Sequence, residues 1–209
     1  MSIAAAQDLI LASKSASRRA MLDGAGIKYR SRPADIDERA LERAMDGADP
    51  AEIAQALAAA KAAAVSAAVS AAVSAEEPSS WVLGSDSLVE VGGHRFDKPQ
   101  TREQAADHLR FFSGKPMHLH SAAALARNGA IDWVAPSLAT LHVRELSDEF
   151  IESYLGAEWP EIGHCAGAFR IEAMGVHLFE RIIGDHFTVL GMPLLPVLGA
   201  LRERGMIAE

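Results

Sequence analysis

The sequence predicts a mixed α/β fold, an elongated β-sheet flanked by helices, with two lobes and a central cleft. Three observations predict it. Apolar runs of strand length alternate with helical patterns through the first half, and strand alternation dominates the second. No linker divides the 209 residues, of which 49% are apolar, enough to fill one substantial core. The expectation is a single domain over residues 1–209 whose lobes bring the turn after LILAS and the turn at GSD to one face of a cleft.

Taken in order, DLILAS (8–13) reads as a short buried strand and SASRRAMLDGAG (15–26) as a helix closing on glycine. A strand, a small polar turn and a helix with two arginines suit phosphate. Backbone N–H groups at a helix N-terminus attract anions, and Ser13, Ser15 and Ser17 add hydroxyls. An N-capped helix with Arg18 and Arg19 solvated fits the same residues, and both readings stay open. YRSRPADIDER (29–39) reads as an extended piece ending in Asp35, Asp37 and Glu38, which are either metal oxygens or a solvated acidic turn. Helices follow, interrupted between Asp46 and Pro50, with Asp49-Pro50 as a helix start.

Residues 62–75, AAAVSAAVSAAVSA, carry Val65, Val69 and Val73 at a fixed spacing of four. Alanine propensity and the valine stripe predict one helix, and a period of four precesses around a helix of about 3.6 residues per turn, so only part of the stripe faces a core. EEPSS (76–80) stops it at proline. WVLGSDSLVEV then reads as a strand, a Gly-Gly turn follows, and Asp97-Lys98-Pro99 comes next. Asp86 at the end of a buried strand with Lys98 a hairpin away suits an anionic substrate, and equally suits an ordinary hairpin with a charged tip. TREQAADHLRFFSG (101–114) is an amphipathic helix; MHLHSAAALA (117–126) and SLATLHVREL (137–146) are strands with RNGAIDW as the turn between them. SDEFIESYL (147–155) is a helix capped by Ser147, and the last helix begins at Pro193.

A net charge of -8 and a pI near 5.5 argue against a general nucleic-acid binder. Cys165 is the single cysteine, which excludes an intrachain disulfide and a cysteine-built zinc site; its neighbours HCAGAF suggest a small buried thiol rather than a nucleophile. The N-terminal stretch is a poor signal peptide, because Asp8 interrupts it and no basic region precedes it. No uninterrupted apolar run reaches the roughly 20 residues needed to span a bilayer. The expectation is a soluble cytoplasmic protein with no membrane partner. His118 and His120 share a strand face, but no H-x-x-x-H pairing occurs, so a histidine metal site is not expected.

The segments LILASKSASRRAML, DIDE, ALAAAKAAAV, GSDSLV, DKP, SGKPMHLHSAAAL, HCAGAFRIEAMGVHLFERIIGD and VLGMPL occur in this order between about residues 9 and 198. In order and spacing they resemble the Maf-like family of nucleoside triphosphate pyrophosphatases, which cleave between the α and β phosphates to release a nucleoside monophosphate and pyrophosphate. The arginine pair, GSD and HCAGxFxxE with Glu172 look like the branch that prefers 7-methyl-GTP. The dTTP/UTP branch usually shows SPRR and a glutamine near the last position. Departures are Ala16 in place of a proline, Ser87 in place of threonine or glutamine, Phe96 and Asp97 where small residues are common, and a longer helix before Trp81.

The resemblance implies Asp86, Lys98 and Glu38 as catalytic residues, with Asp86 and Glu38 holding a divalent metal cation, Mg2+ or Mn2+, or Asp86 acting instead as the base. It implies Ser13, Arg18, Lys61, Ser85 and Glu172 as substrate-binding. Without it, Lys61 in an alanine-rich helix reads as a snorkelling surface residue. Glu172 suits guanine, whose N1–H and amine are both donors, though it also suits a local cap. A homodimer stays open. The rival reading is a nucleotide-binding regulator, since the family is also linked to septum formation; it would bind triphosphate without turnover.

Overall fold

The computed structural model describes residues 8–72 and 80–208. Residues 73–79, which hold the end of the alanine-rich tract and most of EEPSS, lie outside the described residues, as do residues 1–7. The chain forms a mixed α/β structure that divides into two compact units. The first comprises residues up to Ser87, Ser121–Ser137 and Leu190 onward; the second comprises Leu88–His120 and Leu138–Val189.

In the first unit, β1 (Leu9–Leu11) is buried throughout and pairs in parallel with β2 (Arg30–Ser31) and with β3 (Trp81–Val91), in the register Leu9 to Trp81 and Leu11 to Leu83. A hydrogen bond from Ala12 N to Leu83 O at 2.8 Å carries the pairing past the end of β1. Parallel strands need a crossover on their faces. The crossover between β1 and β2 contains α1 (Ala16–Gly24), whose N-cap Ser15 accepts from Arg18 N. Between β2 and β3 come α2 (Glu38–Ala44), capped by Asp37, and α3 (Pro50–Ser70), opened by a full capping box of Asp49 and Glu52 with proline at its first position.

The helix α3 ends at Ser70, short of the end of the alanine-rich tract. Val65 and Val69 pack with Ile10, Ala12 and Val82, and Ser66 is buried where its hydroxyl accepts from Gly129 N at 3.0 Å. By length and composition α3 is long and apolar enough to cross a membrane although Lys61 interrupts its apolar run, yet half of its most apolar 18-residue stretch is buried inside the protein. It is a core helix, and its contact with the sheet is set by one glycine. A Cβ on Gly84 would lie 2.2 Å from Ala58 O and 2.7 Å from Ala62 N, so only glycine lets α3 lie this close to β3.

In the second unit, Gly92 and Gly93, both at positive φ, turn β3 into β4 (His94–Phe96), its antiparallel partner. Thr101 caps α4 (Arg102–Phe112), and Phe96 packs edge-on against Phe112 and His108. The strands β5 (Pro116–Arg127) and β6 (Ala130–Val143) correct the expected boundaries. The turn is only Asn128-Gly129, both at positive φ, as a two-residue hairpin requires, so IDW belongs to β6. Ser147 caps α5 (Asp148–Glu158). After two 3-10 turns the chain forms β7 (Phe179–Ile183), antiparallel to β6, and the short α6 (His186–Val189). The first unit ends with α7 (Leu194–Glu203) after Pro193. Overall strand order is β2-β1-β3-β5-β6-β7, with β4 beside β3.

Candidate active site

Close contact at Gly84 places α3 so that Lys61, one residue before Ala62, meets Asp86, two residues after Gly84. Lys61 Nζ lies 2.5 Å from Asp86 Oδ1 and 3.0 Å from Glu38 Oε1. Both Lys61 and Asp86 are buried, at 8% exposure each, which rules out the snorkelling alternative for this lysine. The acidic turn divides in its roles. Asp37 accepts from Ala40 N at 2.9 Å as the α2 cap, Asp35 is exposed, and Glu38 turns to Lys61.

Lys61 engages one oxygen of each carboxylate. Oδ2 of Asp86 and Oε2 of Glu38 have no protein partner among the described residues. Magnesium is typically bound by one or two carboxylates together with substrate phosphates, rather than by an all-protein cage. This donor set fits such an ion, with Asp86 and Glu38 as its holders. Among the described residues no group of three or more His, Cys, Asp or Glu side chains forms a metal site, so phosphate oxygens and water would complete the coordination.

The second half of this constellation is the turn between β1 and α1. Arg18 points inward: its Nε donates to Gly191 O at 3.0 Å and its Nη1 to Ser13 Oγ at 3.3 Å. Burial holds its guanidinium pKa below the ordinary value, against the opposing pull of Asp86 and Glu38, whose fields it shares. Arg19 is exposed, so the two arginines that sequence treats alike take different roles. Ser13 is buried, and its hydroxyl also accepts from Ser15 N at 3.2 Å. Ser85 is fully buried and donates to Gly191 O at 3.1 Å. Ser13, Arg18, Glu38, Lys61, Ser85 and Asp86 therefore gather in the first unit.

Lys98 and Glu172 belong to the second unit and are exposed. Both act on the half-buried thiol of Cys165. Burial and then Glu172 raise its pKa, while Lys98 and Arg170 pull it down. A raised value and incomplete exposure describe an inert thiol. Among the described residues the Glu172 carboxylate makes no hydrogen bond or ion pair with the protein, which removes the local-cap alternative. The loop it sits on is pinned from below. Arg170 Nη2 meets buried Glu158 Oε2 at 2.9 Å, and Tyr154 Oη donates to Ala168 O at 3.2 Å. Sequence reasoning missed Gly191, whose signal was the glycine in VLGMPL, and Ser121, whose hydroxyl lies 2.9 Å from Ser87 Oγ.

Residues 8–204 match the family described as Maf-like protein. The chain belongs to the Maf-like family. Among curated relatives, a nucleoside triphosphate pyrophosphatase of Nitrobacter hamburgensis is 44% identical over 200 residues, covering 96% of this chain and 95% of the relative. A 7-methyl-GTP pyrophosphatase of Rhizobium meliloti is 45% identical over 201 residues, covering 95% of this chain and 97% of the relative. A second protein of that name, from Rhizobium etli, is 43% identical with the same coverage. The Maf-like match spans both units, so the membership rests on the whole chain rather than on one motif.

Proposed function

We propose that this Maf-like chain is a nucleoside triphosphate pyrophosphatase that hydrolyses the α–β phosphoanhydride, giving a nucleoside monophosphate and pyrophosphate, with 7-methyl-GTP as its preferred substrate. One observation carries the reading: buried Lys61 holds Asp86 and Glu38 together within the field of an inward-facing Arg18. Two carboxylates and two cations in one partly desolvated site suit a polyanion that arrives with a divalent ion, and the names of the relatives support the same chemistry.

Asp86 and Glu38 would hold Mg2+ or Mn2+, which when bound neutralises phosphate charge and lowers the pKa of a coordinated water. Lys61 fixes the two carboxylates in place. Arg18 and Ser13 meet phosphate oxygens at the N-terminus of α1, where the helix dipole also favours an anion. The sequence roles of Lys98 as a phosphate cation and of Glu172 as the acceptor for guanine N1–H and amine belong to the same proposal. The positive charge of 7-methylation would add attraction to the Glu172 carboxylate. Burial of half of the most apolar 18-residue stretch of α3 supports a water-soluble protein, and the cytoplasm is the compartment proposed with it.

The test is pyrophosphate release from 7-methyl-GTP, GTP, dTTP, UTP, CTP and ATP. Wild-type protein is expected to favour 7-methyl-GTP, and Glu172→Gln is expected to lower its kcat/KM for that substrate by roughly 10- to 100-fold relative to the pyrimidine substrates, as loss of a base-edge acceptor implies. An unchanged substrate order in Glu172→Gln would remove Glu172 from base recognition. A preference of the wild type for dTTP or UTP would assign the chain to the other branch.

A further inference from the structure

The carbonyl of Gly191 accepts from two sides. Arg18 Nε donates to it at 3.0 Å and Ser85 Oγ at 3.1 Å. The acceptor thus ties the α1 cation to the residue next to Asp86 on β3. The third tie is Arg18 Nη1 to Ser13 Oγ at 3.3 Å. Two of the three guanidinium nitrogens are therefore fixed by neutral oxygens, and Nη2 has no protein acceptor among the described residues. Neutral partners orient a guanidinium without cancelling its charge.

Gly191 is buried at φ +96, a backbone conformation that side chains other than glycine rarely adopt. A Cβ there would stand 3.6 Å from Ser87 Cβ and 3.8 Å from Arg18 Nη2. The bare face of Gly191 thus lies beside the one unpartnered guanidinium nitrogen. Ser85 has no exposure and its hydroxyl is engaged by the carbonyl, so it is not a donor open to substrate.

We propose that Ser85 and Gly191 are positioning residues that aim Arg18 Nη2 at a phosphate oxygen of the substrate, and that Ser85 acts through Arg18 rather than by touching substrate. The proposal rests on the pyrophosphatase reading and assigns to this loop the orientation of its phosphate-binding cation. A group that works only through Arg18 loses its effect when Arg18 is gone, which a double-mutant cycle measures.

The experiment compares wild type, Ser85→Ala, Gly191→Ala, Arg18→Ala and the two double variants carrying Arg18→Ala. It reads kcat and KM for the preferred triphosphate, Kd for inorganic tripolyphosphate by calorimetry, and melting temperature. Ser85→Ala and Gly191→Ala are each expected to raise KM and Kd by about 5- to 10-fold with a smaller change in kcat, and to add less than about 2-fold once Arg18→Ala is present. Equal fold-changes in both backgrounds would overturn the proposal, as would an unchanged KM in both single variants. If Ser85→Ala melts below the assay temperature, the Gly191→Ala arm decides. Absence of turnover by wild type would sink the pyrophosphatase reading instead, and the tripolyphosphate cycle then decides the positioning role alone.

Discussion

Lys61 sits among alanines on both sides in α3, where composition alone predicts a solvated tip, and the structure buries it against Asp86 and Glu38. What composition cannot express is the partner 25 residues away. Removing the lysine leaves the two carboxylates without the cation that contacts both of them. Lys61→Met is expected to destabilise the protein by about 3 kcal/mol, the usual scale for orphaning a buried charge, and to lower kcat/KM about 100-fold, the usual scale for deleting one positioned charge or donor. Urea denaturation and steady-state kinetics check the two halves. Adding Asp86→Asn should recover part of the stability and none of the activity. Arg18 and Arg19 show the same limit of reading by residue type. Adjacent in sequence, they leave α1 in different directions, and Arg18 is the one that meets the acceptors Gly191 O and Ser13 Oγ while Arg19 is exposed.

Elements were legible where local chemistry closes them. Asp49 and Glu52 mark the start of α3, Ser147 the start of α5, and Thr101 the start of α4. They were less legible where a two-residue turn hides in a polar run. Asn128 and Gly129 suffice to reverse the chain, so β6 begins at Ala130. The fit of α3 on β3 requires Gly84, because any Cβ there meets backbone atoms that cannot rotate away. Gly84→Ala is expected to cost about 3 kcal/mol or more, the upper range for overpacking a buried contact, read as a fall in urea midpoint. It should also lower activity by moving Lys61 from Asp86. A fall in stability without loss of activity would mean that the helix shifts while the ion pair survives.

Within the second unit, α4 supplies a pH test of its own. His108 packs against Phe96 and Phe112, and its Nδ1 is buried with no hydrogen-bond partner among the described residues. Burial lowers its pKa, opposed by Asp107 and Asp97. The folded state therefore binds this proton less readily than the unfolded chain. Stability from this residue is complete above the ordinary histidine value near pH 6.5 and is lost as pH falls below it. The urea midpoint of wild type minus that of His108→Leu should decline between pH 7.5 and pH 5. A difference that stays flat or rises would contradict a half-buried His108 that stays neutral in the folded protein.

At the scale of the whole molecule, eight short segments spread over most of the chain become two compact units, and six residues that the sequence singled out converge in the first. Ser13, Arg18, Glu38, Lys61, Ser85 and Asp86 come from α1 and its preceding turn, α2, α3 and β3. Their convergence is a property of the parallel order of β2, β1 and β3, which no single segment reveals. A net charge of -8 makes the gathering of Lys61 and Arg18 in this site the more telling, because the average surface repels a polyanion and local cations are needed to offset that. The central claim is that Asp86 and Glu38, held by Lys61, serve metal-dependent cleavage of a nucleoside triphosphate. The measurement that tests it most directly is pyrophosphate release from 7-methyl-GTP with and without magnesium, in wild type and Asp86→Asn. The account predicts turnover that requires the ion and falls at least about 1,000-fold in Asp86→Asn while the protein stays folded. Magnesium-independent turnover, or full activity in Asp86→Asn, would contradict it.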